Sequence, residues 1–293
     1  MELDDLKSSR NDIIDLHGKT PKSLQSDVEI LREWMKKQPH IPTDQLQDEF
    51  LEILLMKNKF SIEKTKTKIE SYCTLKGLQR YKYLYDDDIS IPSKQPQFYI
   101  PLPELTDDFR RIIIGKVWDP EKWELKIDAV NAMVLREILS RYDYSNGEIF
   151  LYDLTECSPM VISKLRVNIF SDFVNLVLKA HSARLSEIHL ISKFASTFFN
   201  WTKPFLPSKI ASRVHVHDSM DALADMFSAK CLPSDYGGQL KSLNEFRDDF
   251  DRIYADNRQE LLRYMNTKAR EELRQGGPVS DDMQGTFKKL EID

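Results

Sequence analysis

The sequence predicts a two-part chain, a helical first third followed by an α/β unit whose sheet is parallel at least in part. Three observations carry that expectation. Apolar residues recur at helical spacing through the first ~90 residues. A run of Asp and Pro then ends the helical texture. Beyond it, short β-rich segments alternate with helical stretches, which is the pattern of a sheet whose strands are joined by crossover helices.

Leu3, Leu6, Ile13 and Leu16 sit in an acidic opening segment that fits a short helix. From Pro21, the positions of Leu24, Val28, Leu31, Trp34 and Met35 form one apolar stripe of an amphipathic helix, which Gln38-Pro39 ends. Thr43 is the expected cap of a helix holding Leu46, Phe50, Ile53 and Leu54, and Ser61 that of another running towards Tyr85 with Ile62, Ile69, Tyr72 and Cys73 inward. Asp86-Asp87-Asp88, Pro92 and Pro96 break helix, so residues 1–92 are expected to form a helical N-terminal domain. Residues 98–100, 111–115 and 148–153 read as strands, with a helix over 123–142 between the last two. A helix over 160–178 precedes a strand at 188–191, and a second strand at 214–217 follows the aromatic segment that starts at Phe194. Asp218 is the expected cap of a helix to Ala229, and the turn cluster 232–238 leads to the end of the α/β unit, 93–242. A long charged helix from Leu243 to about Arg274, anchored by Phe246, Phe250, Ile253 and Leu261 or Leu262, is stopped by Gly276-Gly277-Pro278 and completes a C-terminal region of 243–293.

The totals exclude several functions. A net charge of −5 argues against general nucleic-acid binding, which rests on a basic surface. Cys73, Cys157 and Cys231 are widely spaced and odd in number, in no Cys-x-x-Cys pair, so neither a disulfide framework nor a zinc site is expected. The opening Met-Glu-Leu-Asp-Asp carries acid where a signal peptide carries base, and no window approaches ~18 apolar residues. The expectation is a soluble protein of the cytosol. Gly-x-Gly-x-x-Gly, Gly-Lys-Ser/Thr, Gly-x-Ser-x-Gly and His-Glu-x-x-His are all missing, so no motif supports catalysis.

Two features remain to be explained. His215 and His217 alternate on one strand face and His189 falls on a neighbouring strand, which makes a three-histidine metal site conceivable. With no acid in the same stretch at matching spacing, buried histidines paired to backbone are the expected reading, and an enzyme using these three with Asp153 is a rival. Phe194, Phe198, Phe199, Trp201 and Phe205 concentrate apolar surface, with Lys203, Lys209 and Arg213 directly following and Arg184 before. Such a segment either seals a core or lids a cavity, and rings beside cations also suit an anionic membrane surface.

Seven short motifs occur in an order that resembles the CRAL-TRIO lipid-transfer family, nearest its tocopherol- and retinaldehyde-binding branch. They are Leu31-Arg-Glu-Trp-Met-Lys-Lys-Gln-Pro, Trp118-Asp-Pro, Phe150-Leu-Tyr-Asp-Leu, Ile188-His-Leu-Ile, Lys203-Pro-Phe-Leu, Val214-His-Val-His and Leu232-Pro-Ser-Asp-Tyr-Gly-Gly. The ending Gly285-Thr-Phe-Lys-Lys-Leu-Glu-Ile-Asp is similar to that of insect members.

The resemblance implies a mainly parallel sheet flooring a closed apolar cavity, with a gate helix at roughly 194–209 that opens at a membrane. It places Ala129, Ala132, Met133, Arg136, Tyr152, Leu165, Leu176, Val177, Ile188, Phe194, Phe198 and Phe199 at the ligand pocket, and Trp201, Phe205 and Leu206 on the gate. Phosphoinositide-contacting positions fall on Arg184, Lys209 and Arg213, while two further basic positions are Ser186 and Asn58 here, which thins that patch. Arg136 replaces a small hydroxyl residue. If buried it needs a ligand carboxylate or hydroxyl, or a protein acid such as Glu137; otherwise it turns to solvent. The implied function is an intracellular carrier of one tocopherol, retinoid, carotenoid or other isoprenoid-like lipid, monomeric, transiently membrane-associated and possessing no catalytic activity. It would need no cofactor or metal and bind no nucleic acid. A phosphoinositide-sensing adaptor without transferred cargo is the alternative.

Overall fold

Capping and apolar spacing account for most of the first four helices. The computed structural model describes residues 1–85 and 96–279, so the expected boundary at Asp86-Asp87-Asp88 and Pro92, and the tail 285–293, lie outside the described residues. A 3-10 turn at Leu3–Lys7 precedes α1 (Arg10–Leu16). In α2 (Pro21–Met35) the Thr20 hydroxyl accepts the Ser23 N–H, Pro21 fills the first helical position, and Leu24, Val28, Leu31 and Met35 point inward. The next helix, α3 (Asp48–Lys57), starts later than expected, with Gln47 at its cap. Thr43 instead lies in a tight turn, its N–H bonded to the Ile41 carbonyl at 2.8 Å. Ser61 caps α4 (Ile62–Gly77), and a 3-10 turn at Gln79–Leu84 follows.

Five strands then form one sheet, β1 (Gln97–Leu105), β2 (Arg111–Val117), β3 (Glu148–Asp153), β4 (Leu185–Ile191) and β5 (Val214–His217), in that spatial order. β1 runs antiparallel to β2, and the other three pairings are parallel. The fold is therefore α/β with a mainly parallel sheet behind a helical N-terminal region. The crossovers are α5 (Leu125–Tyr142), α6 (Val167–Asn175) and a pair of short helices, α7 (Ala195–Thr202) and α8 (Ser208–Ala211). After the sheet come α9 (Asp221–Met226), α10 (Leu243–Asp256) and α11 (Arg258–Met265).

Besides α3 and α4, the latter ending at Gly77 short of Tyr85, four expected helices are shorter or broken. Over 160–178, a 3-10 turn at Pro159–Lys164 is drawn towards the chain before α5 by the Lys164 amine, which donates to the Pro120 and Glu121 carbonyls at 2.8 and 2.6 Å. Leu165 and Arg166 are extended, and α6 ends in a π-helical turn at Leu176–Ala180. The gate segment is three pieces, α7, a 3-10 turn at Lys203–Phe205 and α8, because Pro204 and Pro207 withhold backbone donors. Met220, not Asp218, precedes α9, which has only six residues. The long C-terminal helix divides at Asn257, whose side-chain amide donates to the Ile253 carbonyl at 2.8 Å and competes with the backbone there.

α10 packs on one face of the sheet, with Phe98 edge-on to Phe250 at 5.8 Å. α5 covers the other face, and the N-terminal helices lie behind it around Ile13, Leu31, Phe50, Leu54 and Tyr72. Two buried charge networks join these layers. Glu137 of α5 is fully buried, ion-paired to Lys76 of α4 and to Arg141 at 2.6 Å, and accepts the Tyr72 hydroxyl at 2.6 Å. Lys76 also donates to the Tyr264 carbonyl of α11 at 2.6 Å. Glu148 of β3 takes Arg136 of α5 and, at 3.2 Å, Lys57 of α3.

Burial alone would raise the Glu137 carboxyl, but Lys76 and Arg141 outweigh it and hold the group well below its usual value of 4.5. The ion cluster therefore contributes stability above pH 4.5 that is lost as pH falls further. Glu137→Gln leaves Lys76 and Arg141 uncompensated, and urea unfolding at pH 7 is expected to show a loss of about 3–5 kcal/mol that shrinks on acidification. A loss under about 1 kcal/mol at pH 7 would mean the layers are held by packing alone.

Candidate functional site: an apolar cavity over the sheet

Alternation along the strands aims Tyr99, Phe150, Tyr152, Ile188, Leu190 and Val214 at the α5 side of the sheet, where they floor a cavity. Tyr99 and Tyr152 both pair in register with Gly115 of β2. A Cβ on Gly115 would come within 2.9 Å of each tyrosine ring and 3.1 Å of Phe150, so the glycine is what allows the three rings to meet over β2. Tyr99 and Phe150 lie 5.8 Å apart, as do Phe150 and Tyr152.

The walls come from the helices. α5 presents Asp128, Ala129 and Arg136, α6 presents Phe170, Phe173 and Val174, and the π-helical turn adds Val177 and Leu178. Phe198, Phe199, Thr202, Leu206 and Ile210 of the α7–α8 segment form the roof. Trp123, Leu125, Leu165 and Leu185 complete the lining. The enclosed volume is about 140 Å³. Sites for drug-sized ligands span roughly 300–1,000 Å³, so this space is smaller than such a ligand needs.

Polar groups at the cavity are few and mostly paired. Arg136 is ion-paired to Glu148 rather than to Glu137, which α5 turns towards Lys76. Tyr99 donates to Asp128 at 2.7 Å and Tyr152 donates to it at 3.5 Å, while the Gln97 amide donates to both phenols at 3.1 and 2.9 Å. Burial pushes the Asp128 carboxyl up to about 7, against the pull of these hydrogen bonds.

Of the pocket residues the sequence singles out, Ala129, Arg136, Tyr152, Leu165, Val177, Ile188, Phe198 and Phe199 line the cavity. Ala132, Met133, Leu176 and Phe194 do not. Met133 meets the Tyr85 hydroxyl at 3.5 Å, and Ala132 and Leu176 are buried in the surrounding core. Phe194 caps α7 and is half-buried against that core. Leu206 lines the cavity, whereas the Trp201 and Phe205 rings lie 5.5 Å apart, tilted by 52°, at its outer rim beside Phe170. Lys209 is exposed; Arg184 is half-buried and donates to Asn146 at 2.8 Å, and Arg213 donates to the Leu185 carbonyl. Burial lowers Arg184, with Arg110 and Arg213 close enough to lower it further.

The histidines lie on the opposite sheet face from the cavity. His189 is buried, its Nδ1 is 2.9 Å from His217 Nε2, and its ring stacks on His215 and His217 at 5.1 and 5.2 Å. Glu187, two residues before His189 on the same face, approaches its Nε2 at 3.2 Å, so an acid does stand at matching spacing. Burial lowers His189 to about 4. Stacked rings hydrogen-bonded to one another do not converge on a common point, and no group of His, Cys, Asp or Glu among the described residues has metal-binding geometry. No described helix is long and apolar enough to cross a membrane.

Residues 112–238, from β2 through the turn after α9, match the CRAL/TRIO domain. This part of the chain is a CRAL-TRIO domain. Residues 20–88, a stretch that includes α2–α4, match the Pinta-like, UBA domain. Clavesin-1 of Xenopus laevis is 23% identical over 234 residues, covering 76% of this chain and 70% of that protein. Alpha-tocopherol transfer protein-like of Mus musculus is 24% identical over 228 residues, covering 74% of this chain and 66% of that protein. The crystal structure of Sfh5 aligns with 82% of this chain and 98% of its own at a TM-score of 0.46 and 10% identity. A CRAL-TRIO domain implies binding of a lipophilic ligand.

Asp128 yields a pH test of the cavity. Its folded-state value is raised from 3.8 to about 7, so the folded chain holds more protons than the unfolded one between those values, and stability attributable to this group falls as pH rises through that window. Asp128→Asn is expected to stabilise the protein at pH 8 by about 2–4 kcal/mol relative to its effect at pH 4, read from melting curves across pH. A pH-independent difference would mean that Asp128 is ionised throughout.

Proposed function

We propose that this CRAL-TRIO protein is a carrier that encloses one hydrophobic small molecule between α5, α6 and the sheet and releases it by outward movement of the α7–α8 segment. The observation that carries the reading is the roof. Five of its side chains line the cavity, yet it consists of three pieces of eight, three and four residues. Helices shorter than ~12–15 residues are marginal by themselves and depend on packing, so this wall is the one most cheaply displaced. Burial of the ligand supplies affinity at ~25 cal/mol per Å² of apolar surface, less ordering costs. A tocopherol, retinoid, carotenoid or related isoprenoid has the required apolar body.

The rim supports transfer at a membrane. Trp201, Phe205 and Phe170 cluster at the outer edge, Met160 is 71% exposed and Val167 45% exposed nearby in the chain, and Lys203 sits 5.7 Å from the Phe199 ring. Rings and exposed apolar tips flanked by cations suit an anionic lipid surface, which would stabilise the open state by binding it preferentially. Lys209, Arg184 and Arg213, with Arg110 as a further cation, are the proposed contacts for a phosphoinositide head group. Transfer of this kind makes and breaks no covalent bond.

Phe205→Asp is expected to slow vesicle-to-vesicle transfer of a fluorescent isoprenoid about tenfold or more, while equilibrium binding changes less than about threefold. Phe198→Asp, at the cavity, should lower both together. Equal losses for Phe205→Asp would place it in the binding wall instead of the membrane contact. Lys209→Glu with Arg213→Glu should reduce transfer to vesicles containing phosphatidylinositol bisphosphate, and the deficit should fade with added salt. Lipid extraction from protein purified out of its native tissue tests the carrier reading as a whole. A chain that carries no lipid and transfers none would instead favour an adaptor.

A further inference from the structure

The polar groups facing the cavity divide into those that are satisfied and those that are not. Arg136 is held by Glu148, and the Thr202 hydroxyl donates to the Phe198 and Phe199 carbonyls at 3.1 Å. The two phenols spend their protons on Asp128 and accept from Gln97. That leaves the Asp128 carboxylate and the Trp123 indole N–H. A carboxylate offers about four acceptor positions, and Asp128 receives one good hydrogen bond, one long one and no cation among the described residues. Trp123 Nε1 is buried with no acceptor among the described residues. Trp123 and Gln97 both stand close enough to Asp128 to favour its ionised form, yet neither makes a well-formed hydrogen bond to it. Both residues line the cavity, at 2% and 5% exposure.

A buried donor and a buried acceptor, each incomplete and opening on an apolar space, are a mould for a group that does both jobs. We propose that Asp128 and Trp123 form the head-group subsite of this cavity and select a lipid ending in a neutral hydroxyl, whose O–H donates to the Asp128 carboxylate and whose oxygen accepts from Trp123 Nε1. This rests on the carrier reading and narrows its cargo. A carboxylate or phosphate head would meet Asp128 as a like charge. An ether or aldehyde accepts from Trp123 but brings Asp128 no proton, and an ammonium gives Trp123 no acceptor. Arg136 could serve an acidic lipid only by leaving Glu148, which strands a buried charge.

The test is displacement of diphenylhexatriene, an apolar fluorescent hydrocarbon, from the full chain at pH 8 by geranylgeraniol, its methyl ether and geranylgeranoic acid. These share one body and differ in the head. The alcohol is expected to compete at concentrations about tenfold below the ether and the acid. Asp128→Leu should bring alcohol and ether within about twofold of each other, whereas Trp123→Phe should weaken both about fivefold and leave their ratio intact. Equal competition by alcohol and ether in the unaltered protein, or a preference for the acid, overturns the proposal without any variant, so it is decided even if Asp128→Leu fails to fold. Persistence of the alcohol preference in a folded Asp128→Leu protein overturns it too. Uptake of the hydrocarbon with no head-group preference removes only this subsite; failure of the hydrocarbon and all three competitors to bind removes the carrier reading with it.

Discussion

A carboxylate with no access to water is the constraint from which the rest of the molecule follows. Glu137 can stay ionised inside the protein only while Lys76 and Arg141 both reach it, and Lys76 comes from a different layer. The rotation of α5 about its axis is thereby set by the helical N-terminal region. Once Glu137 faces α4, the next position back, Arg136, turns towards Glu148, and Asp128 and Ala129 turn towards the sheet. The N-terminal helices contribute no side chain to the cavity lining, yet they determine which side of α5 the cavity sees. Lys57 reinforces this by reaching Glu148 from α3.

Much of this was legible in the sequence where one local pattern sufficed. β3 has the bounds its apolar run indicates, Ser61 caps α4, and the succession of strand and helix conveys a mainly parallel sheet. Breaks that depend on distant partners were not legible. The turn before α6 is drawn in by Lys164 reaching carbonyls more than forty residues away, and Asn257 divides the C-terminal helix through its own side chain with no Gly or Pro to signal it. Thr43 has the chemistry of a cap, but the chain makes a turn there and begins α3 at Asp48.

The cavity was half legible for a similar reason. Helical spacing groups Ala129, Ala132, Met133 and Arg136 on one stripe, but the stripe is wider than the cavity, and Met133 goes to Tyr85. Asp128 in the first turn of α5 reads as an ordinary complement to the helix dipole, so its burial beside Trp123 was invisible without the fold. The acid that holds Arg136 is on a strand, outside any helical pairing rule. For the histidines, Glu187 was in plain view two residues upstream, and strand alternation alone places it on their face.

Gly115 touches none of the space it shapes. Its missing side chain lets Tyr99, Phe150 and Tyr152 close over β2, so the depth of the cavity is set from beneath its floor. Adding one methyl group there would lift three rings at once into the space above. Related chains could thus diverge in the girth of the molecule they hold while every residue in contact with it stayed the same, and a search for cargo determinants confined to the lining would pass over the position responsible.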